Sequence, residues 1–158
     1  MVNEIGLNDK LPRFSLTATI LNTCSDADLL GQWTVLYLYP KDNTSGCTRE
    51  TKEFNEKYSD FKSLGVRVLG LSKDTLASHV SFSSKLNLQF PLISDPQTQL
   101  IQSLDAWKEK SMYGKKYMGT ERSTFLIDES LSIKFIWRKV KVQGHVEEVF
   151  NKYKELKQ

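Results

Sequence analysis

The stretch Tyr39-Pro40-Lys41-Asp42-Asn43-Thr44-Ser45-Gly46-Cys47-Thr48 holds the residues whose types and spacing could do chemistry. It follows an apolar, β-prone run from Thr34 to Tyr39 and leads into a helix-prone run from Cys47 to Leu64. Cys47 therefore stands where a strand ends and a helix starts. The first N–H groups of a helix have no intrahelical acceptor, and the macrodipole adds partial positive charge there. Both effects favour a thiolate, the reactive form of cysteine, over a thiol. Pro40 fixes one backbone angle, and the residues between it and Cys47 bend the chain tightly. Thr44 can cap the helix or present its hydroxyl to whatever meets the sulfur. For Cys47 taken alone, a buried cysteine opening an ordinary α/β turn is the competing reading.

Other cysteine chemistries fit less well. A phosphatase arrangement needs arginine six positions after the cysteine, and residue 53 is glutamate. A thioredoxin-type dithiol needs Cys-x-x-Cys, and Glu50 occupies the second position. His79 and His145 fall in or beside predicted helices, where structural or capping roles are expected. Cys24 and Cys47 stand 23 positions apart and form neither a disulfide framework nor a zinc site. Trp33, Trp107 and Trp137 do not cluster, so packing is expected rather than base stacking.

The elements around Cys47 must come from a soluble globular chain. At 158 residues, with 39% apolar and 26% charged residues, a single domain spanning 1–158 with a real core is expected. A net charge of +3 is too small to imply nucleic acid, and the basic residues of Arg138-Lys139-Val140-Lys141 read as a solvated face. No apolar run approaches the roughly 18 residues that span a bilayer. Met1-Val2-Asn3-Glu4-Ile5 lacks the features of a signal peptide, so the cytoplasm is the expected location.

Periodicity places the elements in order. Phe14 to Thr23 alternates weakly and turns near Leu21-Asn22, predicting an N-terminal hairpin. Ser25 to Gly31 reads as one capped helical turn. Thr34 to Tyr39 is a strand covered on both faces, followed by a helix with Phe54, Tyr58, Phe61 and Leu64 at helical spacing that stops at Gly65. Val66 to Leu71 is a second buried strand, Lys73 to Leu86 a helix, Phe90 to Ile93 a short extended piece, and Asp95-Pro96 the start of a short helix. Ala106 to Thr120 has no clear period and is expected as loop. Arg122 to Ile127 and Ser132 to Trp137 form a hairpin, and Val146 to Leu156 a last helix. This order predicts an α/β fold with a central mixed sheet flanked by helices, its parallel pairs joined by right-handed crossovers and one edge antiparallel.

Pro40, Thr44 and Cys47 reproduce the Pro-x-x-x-Thr-x-x-Cys motif, and the chain here resembles the peroxiredoxins, thiol-dependent peroxidases of thioredoxin-like fold. Leu38 to Thr44 resembles the bacterioferritin-comigratory-protein, or Q-type, branch. Phe90 to Asp95, Arg122 to Asp128, and Gly144 to Val149 match it further, in one order from about Lys10 to the end. The resemblance implies that the Cys47 thiolate attacks a hydroperoxide and that the Arg122 guanidinium contacts the sulfur. It further implies that Thr44 bonds the peroxide and that Glu50 orients Arg122. Pro40 would shield the sulfur, and Gly46 would support the turn. No cofactor or metal is implied. The implied partners are a hydroperoxide and a thiol reductant such as thioredoxin, with the chain acting as monomer or weak homodimer. A peroxide sensor or holdase chaperone on the same fold is the alternative.

Departures from the branch matter equally. Where many members carry a resolving cysteine five residues after the first, this chain has Lys52. Where others place it in the next helix, Val80-Ser81-Phe82-Ser83-Ser84 stands. Ser45 replaces a usual proline. Cys24 is the only internal candidate for resolution. It precedes the strand that Cys47 follows, so it is expected near the opposite end of the sheet, as a buried or hairpin cysteine.

Overall fold

The computed structural model describes residues 4–158, so Met1 to Asn3 of the amino-terminal stretch lie outside the described residues. The predicted hairpin pairs β1 (Ser15–Ala18) with β2 (Asn22–Ser25), and a single 3-10 turn follows at Asp26–Leu29. β3 (Trp33–Leu38) then leads to α1 (Ser45–Ser63), which stops at Gly65 with φ at 76°. Only glycine takes that conformation without strain, so the helix ends there. β4 (Val66–Ser72) precedes α2 (Leu76–Leu86), whose cap is Thr75: its hydroxyl accepts the Ser78 N–H at 3.2 Å. β5 (Leu92–Ser94) precedes α3 (Gln99–Ser103), whose first turn is held by Asp95 accepting from the N–H groups of Gln99 and Ile101. β6 (Trp107–Met112), β7 (Lys115–Thr120), β8 (Ser123–Ile127), β9 (Ile133–Trp137) and α4 (His145–Lys157) complete the chain.

The central sheet is seven-stranded and mixed, in the order β2-β1-β5-β4-β3-β8-β9. β3, β4 and β5 run parallel; β8 pairs antiparallel with β3, and β9 with β8. Alternation along β3 splits the core into two faces. Val35, Tyr37 and Tyr39 join Phe54 and Phe61 of α1, Phe82 of α2, and Val149 of α4. Leu36 and Leu38 point the other way, against Leu29, Leu100 and Ile101. Each fully buried aromatic or aliphatic side chain of this kind stabilises the fold by about 1.5–3 kcal/mol. α1 is fixed on its face by Tyr37, which stacks on Phe54 with ring centroids 4.5 Å apart and hydrogen-bonds the Thr51 hydroxyl at 2.9 Å.

This topology positions the site. In the β3–β8 ladder Ser123 lies opposite Leu38, so residue 122 arrives beside the carboxyl end of β3, where the chain turns toward Cys47. The antiparallel direction of β8 supplies the approach that the sequence left to a loop.

Two expectations are corrected. Ala106 to Thr120 is a two-stranded ribbon, β6 paired with β7 from Trp107↔Thr120 to Met112↔Lys115. Its turn is Tyr113-Gly114, both with positive φ (53° and 78°), as a two-residue hairpin loop requires. The ribbon is exposed on both faces over most of its length, so burial imposes no alternation for a sequence pattern to reveal. Cys24 is also misplaced by the sequence argument. Asn22, Ala18, Ile93, Leu71 and Leu38 form one row across the sheet, and Cys24 lies two residues beyond it toward the carboxyl ends. What separates it from Cys47 is lateral. Four strand intervals of about 4.8 Å place β2 roughly 19 Å from β3. In addition, Cys24 belongs to the core on the other face of the sheet.

Gly70 of β4 is where packing on the α1 face is tightest. A Cβ there would meet Leu92 Cδ2 at 2.6 Å and the Tyr37 ring and hydroxyl at 2.9 Å. Gly70→Ala should therefore destabilise the protein by about 1–3 kcal/mol, because neither neighbour can move without disturbing the sheet. Urea denaturation measures this, and an unchanged midpoint would show that Tyr37 has room to shift.

Candidate active site

Cys47 lies in the first turn of α1 with 1% of its surface exposed. The first intrahelical bond runs from the Thr48 N–H to the Thr44 carbonyl at 2.9 Å. The N–H groups of Ser45, Gly46 and Cys47 precede it and have no intrahelical acceptor. Thr44 occupies the N-cap position, yet its hydroxyl makes no cap bond; it donates instead to the Lys41 carbonyl at 2.8 Å. That bond closes the turn and leaves the helix N–H groups for another acceptor. Pro40, half-buried, begins the turn and brings no N–H of its own.

Arg122 reaches the sulfur from β8. Its Nη2 donates to Cys47 Sγ at 3.2 Å, and its Nη1 donates to Glu50 Oε1 at 2.6 Å. One planar fork thus spans two residues of one helix face, placed together by their three-residue spacing. Gly46 makes room for it, since a Cβ at that position would lie 3.3 Å from Nη2. Cys47, Arg122, Glu50 and Gly46 meet; Thr44 and Pro40 shape the turn beside them.

Electrostatics at this cluster are dominated by burial. Glu50 is fully buried, and its Oε2 has no hydrogen-bond partner. Burial raises its carboxyl from 4.5 to about 7, and the opposing pull of Arg122 offsets only part of this. Burial alone would lower the Arg122 guanidinium, but the charges of Glu50 and Cys47 outweigh it and raise it further above its already high value. Arg122 is therefore a permanent cation between a sulfur and a carboxyl that titrates near neutrality.

Sequence reasoning missed several neighbours. The β6–β7 ribbon carries Lys110 inward, where its ammonium donates to the Thr120 carbonyl at 2.5 Å. Burial, and then the nearby Arg122 charge, lower its pKa. It adds a second cation near the sulfur, and only the ribbon's existence could have revealed it. Asp42, inside the motif stretch, is buried and bonded to His79, also buried, at 2.8 Å. His145 opens α4 as expected and bonds the Thr124 hydroxyl at 2.8 Å; burial lowers it to about 4, so it is neutral. Cys24 is fully buried and remote, and burial followed by the Asp28 charge pushes its thiol up to about 11.

Glu50 gives a pH prediction. Its folded value of about 7 exceeds its ordinary 4.5, so the folded state holds the proton more tightly than the unfolded chain. The associated stability is complete below the lower value and lost as pH rises through the upper one. Between pH 5 and 8, the stability of the parent relative to Glu50→Gln should fall by about 1–3 kcal/mol. Urea titrations of both proteins test this; a constant difference would mean that Arg122 fully compensates the buried charge.

Comparisons with known proteins give the family. The AhpC/TSA family model matches residues 7–136. A putative peroxiredoxin bcp of Coxiella burnetii is 44% identical over 146 residues, covering 92% of this chain and 97% of that protein. Peroxiredoxin Bcp of Bacillus subtilis is 41% identical over 156 residues, covering 99% and 98%. Among solved structures, a cysteine-to-serine mutant of Xylella fastidiosa PrxQ superposes with a TM-score of 0.93 at 40% identity, covering 99% of this chain and all of that one. The bacterioferritin comigratory protein of Xanthomonas campestris, studied for alkyl peroxide reduction, superposes at 0.87 with 39% identity and 92% coverage of each chain. A buried cysteine at a helix start, gripped by an arginine from a neighbouring strand of a thioredoxin-like sheet, thus occurs in a chain that belongs to the AhpC/TSA family, as a peroxiredoxin of the Bcp or Q type.

Proposed function

We propose that Cys47 performs thiol-dependent peroxide reduction without help from a second cysteine of this chain. The observation that carries this reading is the 3.2 Å contact from Arg122 to Cys47 Sγ, with Glu50 behind the guanidinium. In the first step the Cys47 thiolate attacks one oxygen of a hydroperoxide. An S–O bond forms, the O–O bond breaks, and the sulfur loses two electrons to become a sulfenic acid. The departing oxygen takes a proton and leaves as water or an alcohol. Arg122 stabilises the negative charge shared between sulfur and oxygens as the O–O bond lengthens. Free N–H groups at the start of α1 offer further donors, and the Thr44 hydroxyl positions the substrate. Pro40 and the burial of the sulfur keep bulk water away.

Reduction then proceeds by exchange. An external thiol condenses with the sulfenic acid to a mixed disulfide, releasing water, and a second thiol frees Cys47 as a thiol. Cys24 is unsuited to the resolving role: it is buried on the other face of the sheet, and a disulfide needs Cα atoms within about 7 Å. Hydrogen peroxide and organic hydroperoxides are the substrates, with thioredoxin or a similar dithiol protein as reductant. The chain acts in the cytoplasm as a monomer or weak homodimer. No helix among the described residues is long and apolar enough to cross a membrane.

Two variants decide the reading. Cys47→Ser should lose peroxide consumption with a thiol donor entirely, whereas Cys24→Ser should oxidise in a single turnover at the parental rate. After one equivalent of peroxide, peptide mass spectrometry without reductant should find Cys47 trapped by a sulfenic-acid reagent and Cys24 still a thiol. A dominant Cys24–Cys47 linked peptide would make this a two-cysteine enzyme. Stoichiometric oxidation of Cys47 with no sustained turnover on any thiol would favour a sensor instead.

A further inference from the structure

Between Pro40 and Thr44, apart from the Thr48 N–H bond to the Thr44 carbonyl that opens α1, every hydrogen bond tying the active-site turn to the rest of the molecule, among the described residues, passes through Asp42. Its N–H donates to Asp74 Oδ2 at 2.9 Å. Its Oδ1 accepts from the Tyr39 hydroxyl at 2.6 Å. Its Oδ2 accepts from the Ser78 hydroxyl and from His79 Nδ1, both at 2.8 Å. These partners come from β3, the end of β4 and the first turn of α2, so the turn that carries Thr44 and Cys47 is fastened to three elements by one residue.

The chemistry of the bonds is unusual for a structural turn. Asp42 and His79 are 3% and 0% exposed. The other ring nitrogen of His79, Nε2, faces the Ile93 carbonyl at 3.0 Å. Nε2 also lies 3.4 Å from the Ser72 hydroxyl, so both ring nitrogens of this buried histidine are engaged by the protein. Burial would raise the Asp42 carboxyl, yet the bonds from His79, Tyr39 and Ser78 hold it below its ordinary value. Asp42, Asp74 and His79 place one ligand atom each within 4.8 Å of one another, but each of those atoms already has a hydrogen-bond partner in the protein. The cluster is a closed hydrogen-bond network rather than a vacant cation site. A buried hydrogen-bonded pair of this kind holds firmly only while both partners are present, because removing one leaves the other unsatisfied.

This firmness bears on a conflict within the reaction. Peroxide, a small molecule, can be attacked by a nearly buried sulfur held in line with Arg122. The sulfenic acid that results must then meet a thiol sulfur from outside, and at 1% exposure it cannot do so until the turn moves outward. We propose that the Asp42–His79 pair is a latch on the active-site turn, and that both are positioning residues which favour the peroxide step at the expense of the thiol step. The proposal rests on the peroxidase reading of Cys47. Loosening the latch misplaces the sulfur relative to Arg122, which slows attack, while it eases access of the reductant.

The test measures two rates separately in the full-length protein. One is the second-order rate constant for oxidation of Cys47 by hydrogen peroxide. The other is the rate at which preformed Cys47 sulfenic acid reacts with dithiothreitol. In His79→Gln and Asp42→Asn the ratio of the first to the second should fall by about tenfold or more, since small misplacements of reacting groups cost up to ~100-fold in rate. Ser78→Ala removes one bond and keeps the Asp42–His79 bond, so its ratio should fall by about threefold, and it decides the matter if the other two variants do not fold. A ratio within twofold of the parent in the folded variants would overturn the latch. A parent protein whose Cys47 does not react with peroxide would instead overturn the peroxidase reading itself, so the two failures are distinguishable.

Discussion

Everything at this site depends on a half-buried guanidinium shared between a sulfur and a carboxyl. Arg122 can make both contacts because its donors lie in a rigid plane, and Cys47 and Glu50 present their acceptors from one helix face. The arrangement is demanding. Glu50 is wholly buried with one oxygen unpaired, so the charge opposite Arg122 is held at a cost that the surrounding fold must offset. Gly46 is small enough to let the guanidinium approach, and the antiparallel pairing of β8 with β3 delivers Arg122 to the right end of the sheet.

The fold meets that cost through α1. Tyr37 and Phe54 stack beneath the helix, Phe61 packs edge-on to Phe150 of α4, and Gly70 leaves space for the Tyr37 ring. These contacts fix where the first turn of α1 sits, and hence where the sulfur sits. Beyond the buried Tyr39, the turn from Pro40 to Thr44 contributes no residue to either core cluster, and polar bonds through Asp42 hold it instead. Apolar packing therefore places the helix, while a small hydrogen-bond network places the turn.

Much of this was legible in the sequence, for identifiable reasons. The runs Thr34 to Tyr39 and Val66 to Leu71 are apolar because strands buried on both faces must be, and Gly65 ends α1 because only glycine takes the required conformation without strain. Cys47 and Thr44 could be singled out because motif and turn chemistry are local, whereas Arg122, 75 residues on, was implied only by the family resemblance. What was not legible depends on contacts between distant residues. The β6–β7 ribbon has no buried face along most of its length, so it leaves no periodic trace, and Lys110 went unnoticed with it. His79 was expected to be structural; that it grips Asp42 follows from how α2 lies against the end of β4. The position of Cys24 was misjudged because chain order gave a distance along one strand, whereas the sheet order decides it.

The central claim is that Arg122 holds the sulfur and stabilises the attack on peroxide, and the single-turnover oxidation rate of Cys47 in arginine variants tests it most directly. Removing one preorganised donor aimed at developing charge typically costs about 100–1,000-fold in rate, so Arg122→Ala should fall by that much. Arg122→Lys keeps the charge but cannot bridge Cys47 and Glu50 with one rigid fork, and it should fall by roughly tenfold or more. Oxidation of folded Arg122→Ala at the parental rate would contradict the account.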